Sequence, residues 1–428
     1  MSKQNNIQGI KARFVIHEIL YAIKYKNRSF EEIFEEKKNK ENLKLSDLKL
    51  IHDVVLNSMR LSLFINKIIK LYSKKKPKKN QYILLLSGIT QLIYLNYKNY
   101  AVINCSVEIA KYKKINAIPG YINGILKKID TNKENLKKIK LDKKIVGELH
   151  NNKIFSNLKH LDKINIFTSV SQKPNLHLVF KSKADLDKFK TNINKTSRSS
   201  GAIIDQIPIT KINEFKNGLC WAQDFSAMLP LHMTKNLKNL KVLDLCAAPG
   251  GKTFQLIKEG ANVLSVEKNK ERANLLKENL KRLKYSSKIK VIDALKLEER
   301  IKYDIVIVDA PCSSVGTMRR NPDIIFKEKI INLDKKIELQ RNMLKKADKL
   351  LLKNGYIIYI VCSFLFKETY SQVYNFLNSN KNYEIEKFNA ESKYVSLVDK
   401  NGFINIVPQK FDNILIDGFF AAKLKKLN

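Results

Sequence analysis

The sequence predicts a multidomain α/β protein: an all-α N-terminal domain over residues 1–131, a small α/β connector over 132–215 and a doubly wound domain over 216–428, with helices on both faces of a parallel sheet. Three observations carry this. Apolar residues recur at helical spacing through the first ~130 positions. From about residue 216, β-prone runs alternate with helical ones. The stretch between follows neither pattern. A length of 428 residues also exceeds the usual size of one domain.

In the first domain Val15, Ile19, Ala22 and Ile23 share one face of a helix, and Leu85, Ile89, Leu92 and Ile93 share one over residues 81–96. Between them Lys74-Lys75-Lys76-Pro77-Lys78-Lys79 must be a loop, because the proline breaks a helix and the lysines resist burial. Such a run is either a solvated turn or a phosphate contact, the second reading resting on Lys75 and Lys76. Pro119-Gly120 marks a turn before a helix at Tyr121–Lys128. In the connector, Leu176–Phe180 and Ile203–Ile209 read as strands and Lys183–Asn192 as a helix.

The third domain reads strand, helix, strand, helix. Strands are expected at Lys241–Cys246, Asn262–Glu267, Lys288–Asp293, Asp304–Asp309 and Tyr356–Cys362, and helices at Gly251–Glu259, Lys270–Leu283 and Leu339–Leu352. In such sheets ligands bind beyond the carboxyl ends of the strands.

Eighty Lys+Arg against 41 Asp+Glu give a formal charge of +39, which points to a polyanionic partner; a Lys/Ile/Asn-rich codon bias is the competing source. Five scattered cysteines do not make a disulfide framework and fit a reducing compartment. Neither a CxxC nor a histidine pair at ligand spacing is present, so no metal site is expected. The N-terminus has no signal-like apolar core, and the longest apolar run, Tyr356–Phe366, is too short for a bilayer. A cytoplasmic monomer that does not enter a membrane is expected.

The turn Cys246-Ala247-Ala248-Pro249-Gly250-Gly251-Lys252 joins the first strand of this domain to its helix, and its small residues admit a ligand close to the backbone. It lacks both G-x-G-x-x-G and the P-loop pattern, which disfavours pyrophosphate. Glu267, 17 positions after Gly250, is placed to accept both hydroxyls of a ribose, and Asp293 to meet an adenine edge. Each acid alone is equally a cap or a solvated end. In order they favour an adenosine-type ligand. Asp309-Ala310-Pro311-Cys312 and Cys362-Ser363 end neighbouring strands, so two thiols should meet beside that ligand. Cys105, Cys220 and Cys246 are read as small buried hydrophobes.

Residues 244–253 (DLCAAPGGKT), 309–314 (DAPCSS), 319–324 (RRNPDI) and 362–368 (CSFLFKE) resemble the successive motifs of the RNA cytosine-5 methyltransferases. Gln223–Ala227 and Asp417–Ala421 resemble the segments that bracket that domain. Leu84–Leu95, Val107-Glu108 and Ile122–Lys127 resemble the NusB-like helical RNA-binding domain, and the fusion is similar to the bacterial enzymes of that family that act on 16S rRNA. Val361 stands where the family usually has Thr, and Thr369 where it usually has Asn.

The resemblance implies a Rossmann-like S-adenosyl-L-methionine methyltransferase domain, a small RNA-binding connector and 16S rRNA as partner. It makes Cys362 the nucleophile that adds to carbon 6 of cytosine and Cys312 the assistant in proton removal or product release. That addition is favoured by an acid near N3, which Asp309 could supply if it is protonated or shares a proton. It assigns the donor site to Cys246, Ala247, Ala248, Pro249, Gly250, Gly251, Lys252, Glu267, Arg272, Asp293 and Asp309. Arg319, Arg320 and Asn321 are read as clamps on the backbone of an extruded base. A tRNA or another rRNA site is the alternative substrate. A non-catalytic RNA-binding or ribosome-assembly factor is the remote alternative.

Overall fold

Apolar stripes at helical spacing become helices α1 (Lys3–Lys26), α2 (Phe30–Lys40), α3 (Leu45–Arg60), α4 (Ser62–Tyr72), α5 (Lys79–Ile89), α6 (Asn99–Lys111) and α7 (Pro119–Thr131). The structure, a computed structural model, describes residues 3–139, 155, 158–327, 330 and 332–427. It divides into two compact units, one of residues 1–172 with 318–331 and one of 173–317 with 332–428.

In the helical unit Val15, Ile19, Ala22 and Ile23 of α1 are buried, together with Leu85, Ile89, Leu92 and Ile93. The second set does not lie on one regular helix, because α5 widens into a π turn at Thr90–Tyr94. There the Thr90 hydroxyl donates to Leu86 O at 2.8 Å and the Gln91 amide to Ser87 O at 3.1 Å, side chains competing for helix carbonyls. Pro119 opens α7 at its first position instead of preceding it, since a missing N–H costs nothing there. Lys74–Lys78 form the turn between α4 and α5, Lys79 opens α5, and Lys75 and Lys76 are exposed. The unit also holds a short helix, Asp323–Phe326, whose Phe326 is 1% exposed within the helical core. Lys24 Nζ donates to Phe326 O at 3.0 Å and covers its ring.

The second unit begins with a small antiparallel sheet of β1 (His177–Phe180), β2 (Ile193–Ser197), β3 (Ser200–Ile203) and β4 (Cys220–Ala222), in the order β2-β3-β1-β4. Two expectations are corrected here. The helix from Lys183 stops at Asp187, two residues before Phe189 turns into the small sheet's core. The expected strand Ile203–Ile209 ends where it was to begin, because Pro208 has no N–H to pair and a 3-10 turn follows at Ile209–Lys211. The hairpin β2–β3 has no alternation of apolar and polar residues to announce it.

The large sheet contains β5 (Lys241–Leu245), β6 (Asn262–Val266), β7 (Lys288–Lys290), β8 (Tyr303–Asp309), β9 (Leu351–Val361), β10 (Tyr383–Glu386), β11 (Ile404–Ile406) and β14 (Phe419–Lys426). A separate hairpin joins β12 (Gln409–Phe411) to β13 (Ile414–Ile416). The order is β10-β14-β9-β8-β5-β6-β7, with β11 beside β14. Strands β5 to β9 are parallel, whereas β14 returns antiparallel to β9, so the sheet is mixed. Burial on two faces follows the strand period of two: Ile305, Ile307, Ile358 and Ile360 face one core, and Val306, Val308, Ile357 and Tyr359 the other. Helices Gly251–Lys258 and Lys270–Leu283 cover the first, Leu333–Leu350 and Tyr370–Ser379 the second. The chain leaves β5 for β6 and β7, then returns to β8 on β5's other side. That reversal opens a crevice beyond β5 and β8.

Candidate active site

The first wall of the crevice is the turn after β5. Cys246 takes a left-handed conformation (φ 63°), and Gly250 sits at φ 116°, where a Cβ would lie 2.1 Å from the Phe254 ring. Helix Gly251–Lys258 starts there and carries Lys252 and Thr253. Glu267 follows β6 and is 3% exposed; its Oε1 accepts the Asn269 amide at 3.0 Å. Its Oε2 accepts no hydrogen bond, with the Arg272 guanidinium 3.5 Å away. Arg272 itself donates to Ala248 O. An orphaned carboxylate oxygen at a strand tip is a ready acceptor for ligand hydroxyls.

Asp244, inside β5, was not singled out from the sequence as a site residue. It is buried, takes the Thr253 hydroxyl at 2.6 Å on one oxygen and leaves the other unpartnered. Burial raises its pKa to about 7. The signal was an acid within an otherwise apolar Val-Leu-Asp-Leu strand, where its charge has no structural excuse.

Asp293 lies beyond β7, not at its end, and caps the turn Ala294–Lys296 by accepting the Leu295 amide at 2.9 Å. It also lines a slot with Cys246, Val266, Ile292, Leu295 and Pro311. The slot is apolar on its faces and carries Asp293 and Lys268 at its edge, so a flat heterocycle with a donor group finds an acceptor in Asp293. An adenosine moiety therefore fits the residues present, with Glu267 and Asp244 as orphaned acceptors and this slot for the base.

The second wall carries the sulfur atoms. Cys312 follows β8, Cys362 follows β9, and their Sγ atoms are 3.2 Å apart. Ser314 Oγ lies 3.5 Å from Cys362 Sγ. The contact with Cys312 lowers the pKa of Cys362, helped by Ser314 and Lys252 against burial; the same contact, with burial and Glu368, pushes Cys312 well up. The first proton to leave the pair is thus that of Cys362, and Cys312 holds its own the longer. Lys252 Nζ donates to Asp309 Oδ2 at 2.7 Å. Burial opposes the Lys252 charge, but Asp309, Asp244 and Cys362 outweigh it, so its pKa is raised. The sequence left open whether Asp309 holds a proton or shares one, and this hydrogen bond is the contact through which it would share.

Glu368 was also missed as a functional residue. It is fully buried and accepts the Ser313 amide at 2.7 Å, Gln340 Nε2 at 3.1 Å, Ser363 Oγ at 2.6 Å and Ser313 Oγ. One carboxyl group therefore ties together the residues that follow both cysteines. The signal was a Glu five positions after Ser363, on a 3-10 turn that folds back on the strand end. The bracketing segments meet as well: Ser226 Oγ donates to Asp417 O at 2.8 Å. Gly418 N donates to Gly316 O at 2.8 Å, and a Cβ on Gly316 would fall 2.0 Å from Gly418 O.

The remaining candidates, Lys75, Lys76, Arg319, Arg320 and Asn321, belong to the helical unit. Arg320 is exposed and Asn321 half-buried, beside Phe30, Phe34 and His52. Arg319 is corrected: at 1% exposed it cannot present its guanidinium to a nucleic-acid backbone. Buried near Arg60, it lowers that residue's pKa, secondary to burial itself.

An open twisted sheet with its ligand crevice at this reversal defines the Rossmann-like methyltransferase class of fold. The crystal structure of PH0851 matches 96% of the chain and 98% of its own at a TM-score of 0.67 and 20% identity. That of NSun6 from Pyrococcus horikoshii with SFG matches 65% of the chain and 97% of its own, at 0.55 and 16%. By sequence, residues 232–425 match the family of the 16S rRNA methyltransferase RsmB/F, and residues 10–131 match the NusB family. The ribosomal RNA small subunit methyltransferase B of Photorhabdus laumondii is 28% identical over 91% of this chain and 93% of its own. That of Pasteurella multocida is 25% identical over 90% of each. Among the described residues no helix is long and apolar enough to cross a membrane.

Proposed function

We propose that this chain methylates carbon 5 of a cytosine in small-subunit rRNA, with S-adenosylmethionine as donor and a covalent bond from Cys362 Sγ to carbon 6. The observation that carries the reading is the sulfur pair at 3.2 Å, whose thiolate form is favoured at Cys362. The relatives' names support the rRNA substrate, and a similar fold solved with SFG, an analogue of S-adenosylmethionine, supports the donor.

Carbon 5 of cytosine is a poor nucleophile until carbon 6 carries an electron-rich substituent. Cys362 thiolate adds at carbon 6 while the Lys252–Asp309 pair supplies a proton toward N3. S-adenosylmethionine, when bound, supplies a sulfonium methyl group; Glu267, Asp244, Asp293 and the turn Cys246–Lys252 would hold it. Carbon 5 takes that methyl, and its own proton passes to water in the crevice. The N3 proton returns to the Lys252–Asp309 pair as the carbon 6–sulfur bond breaks and gives back the Cys362 thiolate; Cys312, in contact with the leaving sulfur, assists that step. Bisulfite mapping of 16S rRNA and tRNA, from cells with and without the protein, tests the substrate. A 16S cytosine should lose its mark on deletion; an unchanged 16S map overturns the reading.

A further inference from the structure

A cavity of about 580 Å³ opens in the second unit between the small sheet and helices Phe225–His232 and Gly251–Lys258. It lies at the end of the second helix remote from the glycine turn, about 10 Å along its axis at ~1.5 Å per residue. Four cations line it: Lys183, Arg198, Lys235 and Lys258, against one acid, Glu259.

Lysine is abundant throughout this chain, so a basic lining alone decides little. Two features set this one apart. None of the four cations makes an ion pair among the described residues, although neighbouring lysines do: Lys195 pairs with Asp187 at 2.6 Å, and Lys393 with Asp412 at 3.6 Å. Arg198 is one of only ten arginines in the chain. It stands at the β2–β3 turn in a Ser-Arg-Ser-Ser run, with Ser197 and Ser199 also on the wall. Lys258 is half-buried and held by Ser199 Oγ at 2.5 Å, and burial lowers its pKa. An anion there would relieve that desolvated ammonium. Exposed guanidinium and ammonium groups interleaved with hydroxyls match the oxygens of phosphodiesters.

We infer that this cavity is a second RNA contact, seating backbone phosphates of the rRNA strand at a distance from the methylated base. The inference rests on the rRNA reading above but not on its chemistry: it concerns grip, not transfer.

The test is Lys183→Ala/Arg198→Ala/Lys235→Ala, all exposed positions, assayed with an in vitro transcript of small-subunit rRNA. Affinity should fall roughly tenfold at moderate salt, and the slope of log affinity against log salt should shrink by about 2, or ~0.7 per lost phosphate contact on a single strand. KM for the transcript should rise while kcat at saturating RNA and affinity for S-adenosylmethionine stay at wild-type values. Lys183→Arg/Lys235→Arg should keep the slope. If the triple variant melts early, Arg198→Ala alone should still remove about a third of the effect. An unchanged slope and KM would overturn the inference, as would a loss confined to a protein-bound form of the RNA. Wild-type protein that binds the transcript with a steep salt slope but never methylates it would sink the substrate reading and leave this one standing.

Discussion

Cys312 and Cys362 approach to 3.2 Å between sulfurs, while Ser313 and Ser363, the residues that follow them, hydrogen-bond the same carboxyl group of Glu368. The two strand tips are thus joined twice, once through sulfur and once through oxygen. Each link makes a separate prediction.

Cys362→Ala should abolish methyl transfer, and Cys312→Ala should accumulate a protein–RNA adduct that resolves slowly. Denaturing gels with labelled transcript and donor distinguish them. An adduct in Cys362→Ala and none in Cys312→Ala would reverse the two roles.

The sulfur contact also fixes a pH dependence. Because it lowers the Cys362 pKa, the thiolate persists to lower pH than an ordinary thiol allows. Alkylation of Cys362 by iodoacetamide should therefore show a midpoint below that of a free thiol. Removing Cys312 removes the largest of the lowering causes, so in Cys312→Ala the midpoint should move to higher pH. A midpoint that moves down or stays still contradicts the shared-proton description.

Glu368→Gln replaces an all-acceptor carboxyl group with an amide that presents donors to donors. The cost should be about 3 kcal/mol of stability, from buried hydrogen bonds lost or opposed. The diagnostic readout is chemical: Cys362 alkylation should slow and kcat should fall, with affinity for S-adenosylmethionine little changed. Denaturant melts and alkylation rates measured on one preparation would separate positioning from simple unfolding.

Asp244 gives the opposite trade. Its pKa is raised to about 7 by burial, so the folded protein binds a proton there that the unfolded chain has already lost above pH ~4. Stability from this site is greatest below the unfolded pKa and declines as pH rises toward 7. Asp244→Asn should remove that decline, sparing on the order of 2 kcal/mol between pH 5 and pH 8. It should also weaken S-adenosylmethionine binding, because an acceptor is lost. A variant with wild-type affinity would show that Asp244 is structural alone.

Much of this architecture was readable in the residues. The strand-turn-helix from Lys241 to Lys258 and the helix Lys270–Leu283 follow local patterns that tertiary contacts only reinforce. The cysteines were paired correctly because strand order alone sets β8 beside β9. What escaped notice depends on distant partners. β2, at Ile193–Ser197, mixes exposed, half-buried and buried positions without alternation, and only its pairing with β3 makes it a strand. The antiparallel return of β14 is set by its neighbours β9 and β10. The contact of Lys252 with Asp309 was not legible, because residues 57 apart show no mutual charge in a linear reading. Arg319 looked like a clamp for the same reason: nothing local announces its burial.

The position of Phe326 has a practical consequence. This side chain lies in the helical core although it is encoded almost two hundred residues after α7 ends. A fragment cut after residue 139 would carry every long helix of α1–α7 yet expose the apolar seat that Phe326 fills. Such a fragment should self-associate on purification, and adding back a peptide spanning residues 318–331 should disperse it. The helices are therefore not a portable module, and any attempt to graft them elsewhere must bring that distant stretch along.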